Sequence, residues 1–69
     1  MSRKLLDINA SWTAREPVQG WVHFRISGRR RPSKSLLEVE LMAVCDRSVR
    51  FWLAADCLTD RENWLPGWR

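Results

Sequence analysis

Leu36-Leu37-Glu38-Val39-Glu40-Leu41-Met42-Ala43-Val44-Cys45 is the stretch that decides the fold. On an extended chain Leu37, Val39, Leu41, Ala43 and Cys45 fall on one side, and Glu38, Glu40, Met42 and Val44 on the other. That two-residue period marks a half-buried strand. Gly20 to Ser27 has the same period, with Val22, Phe24 and Ile26 facing one way and Trp21, His23 and Arg25 the other. Val49 to Leu53 has it again, with Val49, Phe51 and Leu53 inward and Arg50 and Trp52 outward. Three such strands in succession read as an antiparallel meander.

Parity constrains how these strands meet, because paired residues share a face and a one-residue slip would invert every side chain. The three-residue link Asp46-Arg47-Ser48 pairs Cys45 with Val49, Ala43 with Phe51 and Leu41 with Leu53. In the first hairpin even positions must meet odd ones. Pairing Ile26 with Leu37, Phe24 with Val39 and Val22 with Leu41 satisfies this, as would a shift by two residues. On the outer face this register sets Met42 between Trp21 and Trp52, Arg25 opposite Glu38 and His23 opposite Glu40. The expected core centres on Phe24, Val39, Leu41 and Phe51.

Outside the meander the signals are local. Residues 1–10 mix charge and leucine without a period and read as an arm. Ser11-Trp12-Thr13-Ala14 suits a short first strand that Pro17 stops. Gly28-Arg29-Arg30-Arg31-Pro32-Ser33-Lys34 combines a glycine, a proline and four cations, which predicts a solvent-exposed connection. Thr59-Asp60-Arg61-Glu62 has the spacing of a capping box and predicts a helical turn that Pro66-Gly67 ends. Trp64 and Trp68 would then fold back on the sheet. The predicted class is mainly β: a small antiparallel β-meander of three to four strands, with a small open barrel as its more closed variant, and a short C-terminal helical turn. Residues 1–69 form a single tryptophan-rich domain.

Composition agrees with a small, dense domain. A chain of 69 residues buries only about 60% of the surface its unfolded form exposes. Five tryptophans and two phenylalanines meet that need, since each such ring buries ~150–250 Å². The net charge of +4 and pI of about 10.0 favour anionic partners. Met1-Ser2-Arg3-Lys4 leads only to Leu5-Leu6 before Asp7, which is not the pattern of a secretory leader. A reducing cytoplasmic setting, in which Cys45 and Cys57 stay thiols, is therefore expected. No apolar run approaches the ~20 residues that span a bilayer, so no membrane partner is expected.

Trp12-Thr13-Ala14, Gly20-Trp21-Val22-His23-Phe24, Val39-Glu40-Leu41-Met42-Ala43-Val44-Cys45-Asp46 and Trp64-Leu65-Pro66-Gly67-Trp68 together resemble a family of small tryptophan-rich bacterial proteins found in cyanobacteria and some proteobacteria. The resemblance runs from Trp12 to Trp68. The family is one of unknown function. It implies a bacterial, cytosolic origin and carries over no catalytic or binding residue.

Catalytic and metal chemistry find little support. Cys45, Cys57 and His23 are the ligand candidates, and the faces assigned to Cys45 and His23 diverge. No metal, cofactor or small-molecule substrate is expected, and no catalytic residue. Glu38 and Glu40 share a face but have cationic partners within reach across the sheet, as an ion-pair ladder would. Two binding functions survive. The first is nucleic-acid binding, to RNA or single strands, with Trp21 and Trp52 stacking on bases and Arg25, Arg29, Arg30, Arg31, Lys34 and Arg50 meeting phosphates. The second is a protein-interaction module, an accessory subunit of a larger complex, that docks through Trp21, Met42, Trp52 and His23.

Overall fold

The structure, a computed structural model, describes residues 5–69. The alternation read from sequence becomes β2 (Trp21–Ser33), β3 (Leu36–Ala43) and β4 (Arg50–Ala54), preceded by β1 (Ser11–Val18) and followed by β5 (Trp64–Pro66). All pair antiparallel in one open sheet of order β4-β3-β2-β1-β5. A small mainly-β meander is what the sequence predicts. The fifth strand is an addition to it.

Apolar side chains of alternate residues gather on one face. Trp12, Phe24, Ile26, Leu41 and Val39 are fully enclosed there, with Ala14, Ala43 and Trp64 beside them. Phe24 stands edge-on to Phe51, with centroids 5.5 Å apart, and to Trp64, at 5.8 Å. Three of the four residues expected at the centre of the core are fully buried. Phe51 is only partly so and packs against the cluster from β4.

Parity held, but the register differs. Ile26 faces Leu41 and Phe24 faces Ala43, where Leu37 and Val39 were expected. Leu41 faces Phe51 and Val39 faces Leu53, two residues from the expected alignment. Parity fixes faces but not how far strands slide, and the slide is set by a tight Lys34-Ser35 turn between Ser33 and Leu36. Cys45, expected in the core, is consequently carried past the end of β3 and lies exposed, as does Cys57. The turn that follows is held by Asp46, whose Oδ1 accepts from Ser48 Oγ at 2.6 Å and from Ser48 N–H at 3.0 Å. These bonds, the hydroxyl's first, hold the Asp46 carboxyl below its usual pKa. A depressed folded pKa means that this contribution to stability is present above the ordinary carboxylate range and lost as pH falls through the lowered value.

The expected arginine connection is instead the outer half of a long hairpin. A register shift between Ile26 and Gly28 inserts an extra residue, after which Arg29 faces Val39 and Arg30 faces Glu38. Pro32 sits in a second irregularity between Arg30 and Ser33, where no ladder N–H is required. β1 likewise runs through Pro17, because the register shift between Thr13 and Val18 frees that stretch from the ladder. Positive φ at Gln19 (53°) and Gly20 (88°) gives the β1–β2 turn the backbone a tight hairpin needs.

The predicted capping box does not form. Thr59 Oγ1 donates back to the Asp56 carbonyl at 2.6 Å, closing a 3-10 turn over Ala55–Thr59 that buries Ala55 and Leu58. Asp60 caps the next turn instead, accepting from Glu62 N–H and Asn63 Nδ2. The 3-10 turn carries the chain from β4 at one sheet edge to β5 at the other, over the apolar face. Of the expected arm, residues 1–4 lie outside those described. Leu5 and Leu6 pack on the core, and Trp12 Nε1 donates to the Leu5 carbonyl at 2.7 Å. Among the described residues no helix is long and apolar enough to cross a membrane.

Candidate nucleic-acid interface

The second face of the sheet carries charged residues together with the exposed tryptophans. Register places them in rows across the strands. Ser11, Arg25, Met42 and Arg50 form one row over β1 to β4, and Gly28, Glu40 and Trp52 form the next. Arg30, Glu38 and Ala54 form a third. Among exposed large apolar side chains, Trp21, Val44, Trp52 and Trp68 lie on this face, with Ile8 of the arm the exception.

The expected Trp21–Met42–Trp52 cluster is not formed. Because β2 and β4 each slide along β3 from the expected alignment, Met42 is flanked by Arg25 and Arg50. Trp21 pairs with Val18 beside the β1–β2 turn, roughly 14 Å along β2 from Arg25 at ~3.4 Å per residue. The expected pairs Arg25–Glu38 and His23–Glu40 fail for the same reason. Glu38 pairs with Arg30 at 2.6 Å, Glu40 accepts from Ser27 Oγ at 2.9 Å, and His23 Nε2 lies 3.1 Å from the Arg69 carbonyl.

Trp52 reaches across β3 to β2. Its Cη2 lies 3.3 Å from where a Cβ on Gly28 would stand, with Glu40 Oε1 at 3.5 Å. The Arg30 guanidinium lies 4.1 Å from the centre of its ring, a cation–π contact. The glycine that suggested a loop is therefore the floor under a tryptophan. Gly28→Val should push the indole outward and release Arg30, destabilising the domain by about 1 kcal/mol, at the low end of overpacking penalties because the ring can move into solvent. Gly28→Ala should cost less, and paired thermal melts would check both.

The remaining predicted cations divide between the two sides of the hairpin. Arg29 lies 3.8 Å from Asp7, and with Arg31, Leu6 and Asp7 it lines an open cleft against the arm. Arg31 Nη1 approaches the Lys34 carbonyl at the hairpin end, where Lys34 is exposed. Among the described residues Arg25 and Arg50, like Arg31 and Lys34, make no ion pair, and they stand on the sheet's outer face.

One residue of this face was missed in the sequence reading. Trp68 was assigned to covering the sheet, yet it is 53% exposed. Gly67, at φ 81°, turns the chain so that residues 67–69 lie on the outer side of β1. Thr13 Oγ1 donates to the Gly67 carbonyl at 2.7 Å and accepts from Arg69 N–H at 2.9 Å. Trp68 Nε1 donates to the Phe24 carbonyl at 2.9 Å. The only sequence signal was Pro66-Gly67, which marks a turn without saying on which face the chain lands.

Among the described residues no three potential metal ligands cluster. An open antiparallel sheet with one closed apolar face and one tryptophan-bearing polar face defines a small tryptophan-rich β domain. The family described as tryptophan-rich protein (DUF2389) matches residues 10–69, and the chain belongs to that family. No curated protein and no solved structure matches it.

Proposed function

We propose that the outer face binds single-stranded nucleic acid, RNA foremost, in a bacterial cytoplasm, without catalysis. The observation that carries this reading is the pair of arginines, Arg25 and Arg50, on either side of Met42 with no carboxylate partner among the described residues. They stand on the face that exposes Trp52 and Trp68. Free guanidinium groups beside indoles supply what a single strand needs, phosphate neutralisation and base stacking. Repulsion from Glu38 is reduced by its ion pair with Arg30, while Glu40 accepts from Ser27 Oγ and keeps its charge. Arg31 and Lys34 at the hairpin end extend the positive field beyond the sheet.

The test is fluorescence anisotropy of a labelled oligouridylate across a salt series. Affinity should fall as salt rises, and Arg25→Ala with Arg50→Ala should flatten the slope of log affinity against log salt by roughly 1.4, about 0.7 for each phosphate contact removed. Absence of binding to the parent at low salt would reject the reading. The same exposed apolar residues, Trp21, Val44, Trp52 and Trp68, would then favour docking on a protein partner.

A further inference from the structure

The C-terminal turn spends several hydrogen bonds on a tryptophan that contributes nothing to the core. Thr13 Oγ1 ties both Gly67 and Arg69, His23 Nε2 meets the Arg69 carbonyl, and the indole N–H is satisfied by the Phe24 carbonyl. The ring nevertheless remains 53% exposed, the most of any large apolar side chain among the described residues. With its only polar atom already bonded, what it offers to solvent is apolar π-surface. Its position is also fixed before any ligand arrives, so little rotamer freedom is left to lose on binding. The Phe24 carbonyl places the indole next to Arg25, at the start of the row that continues through Met42 to Arg50.

We propose that Trp68 is a preorganised stacking platform, and that a single strand crosses the sheet from Trp68 over Arg25, Met42 and Arg50 towards Trp52. This rests on the nucleic-acid reading above and specifies its ligand. Arg25 on β2 and Arg50 on β4 are two strand spacings apart, roughly 9–10 Å, so their guanidinium groups meet different phosphates of one strand. A base reaches an indole face only when it is unstacked from its neighbours, which a paired duplex resists. Trp52 is the weaker platform because Arg30 lies over its ring. Trp21 lies off the row, near the β1–β2 turn. Thr13 is the positioning residue, acting only through the tail it holds.

The experiment measures binding of the labelled oligouridylate to the parent, Trp68→Ala, Trp68→Phe and Thr13→Val. Trp68→Ala should weaken binding roughly five- to hundred-fold, the range for losing one base–aromatic stack, with the salt slope unchanged because no phosphate contact is lost. Trp68→Phe keeps a ring but loses the bond to Phe24, and should fall between. Thr13→Val touches no ligand, yet should lose part of the same affinity by releasing the tail. A duplex of matched length should bind more weakly than the single strand. If the parent binds and Trp68→Ala binds equally well, or the duplex binds as tightly as the single strand, this inference is overturned while Arg25 and Arg50 keep their role. If the parent does not bind at all, both readings fall together. Should Trp68→Ala fail to fold, Thr13→Val and Trp68→Phe still decide the matter, since unchanged affinity in both would contradict the proposal.

Discussion

Replacing Phe24 with alanine should leave the domain largely unfolded at room temperature. Its ring has no solvent exposure and contacts Phe51 of β4 and Trp64 of β5 edge-on. Those strands sit at opposite edges of the sheet and do not pair with each other. Phe24, on the apolar face of the middle strand β2, packs against both edges at the point where they also meet directly, Phe51 and Trp64 lying 6.5 Å apart. Truncating a buried phenylalanine costs ~3–5 kcal/mol, comparable with the lower range of total stability for a domain, ~5–15 kcal/mol. Urea titration followed by circular dichroism would show a collapsed or absent transition. Phe51→Ala should cost less, because its ring is partly exposed. The reverse order of the two variants would place the centre of the core elsewhere.

Trp64→Ala should have the second largest effect on stability. Trp64 is 7% exposed, pairs with Ala14 across β1, and packs on both phenylalanines. Three residues make a strand too short to persist on backbone bonds alone, so β5 depends on this ring as its anchor. Its loss removes ~3–5 kcal/mol of packing and detaches the chain that leads to Trp68. Leu65, its half-buried neighbour on the outer face, provides the control. Leu65→Ala should cost well under half as much in the same urea titration. Equal costs would mean that β5 is not held by its tryptophan.

Much of this was legible in the alternation alone. The inward set Phe24, Ile26, Val39, Leu41 and Ala43 and the outward set Arg25, Glu38, Glu40, Met42, Arg50 and Trp52 both follow from a period of two. What alternation does not contain is the slide between strands, and the functional face depended on that slide. It separates Trp21 from Met42 and brings Arg30 to Glu38 and Trp52. Gly28 signalled a loop because the reason for a glycine there is an indole arriving from β4, a contact remote in sequence. Arg29 to Ser33 signalled a loop because a hairpin arm that projects beyond the core is exposed on both faces and loses its apolar period. Trp64-Leu65-Pro66 is shorter than any pattern that reveals a strand. The candidate arginines Arg25 and Arg50 were legible, whereas Trp68 was not, since its position depends on Thr13.

The five tryptophans divide between the faces, and this gives the most direct test of the proposed binding surface. Trp12 and Trp64 are enclosed in the core, while Trp21, Trp52 and Trp68 lie outward. Their indole N–H resonances can be followed in nitrogen-15-labelled protein as a short oligouridylate is added at low salt. Trp68 and Trp52 should shift most and together, Trp21 less, and Trp12 and Trp64 hardly at all, with matching shifts at the backbone of Arg25, Met42 and Arg50. Shifts confined to Leu6, Asp7, Arg29 and Arg31 on the other side of the hairpin, or no shifts at any concentration of the strand, would contradict the assignment of the outer face as a nucleic-acid interface.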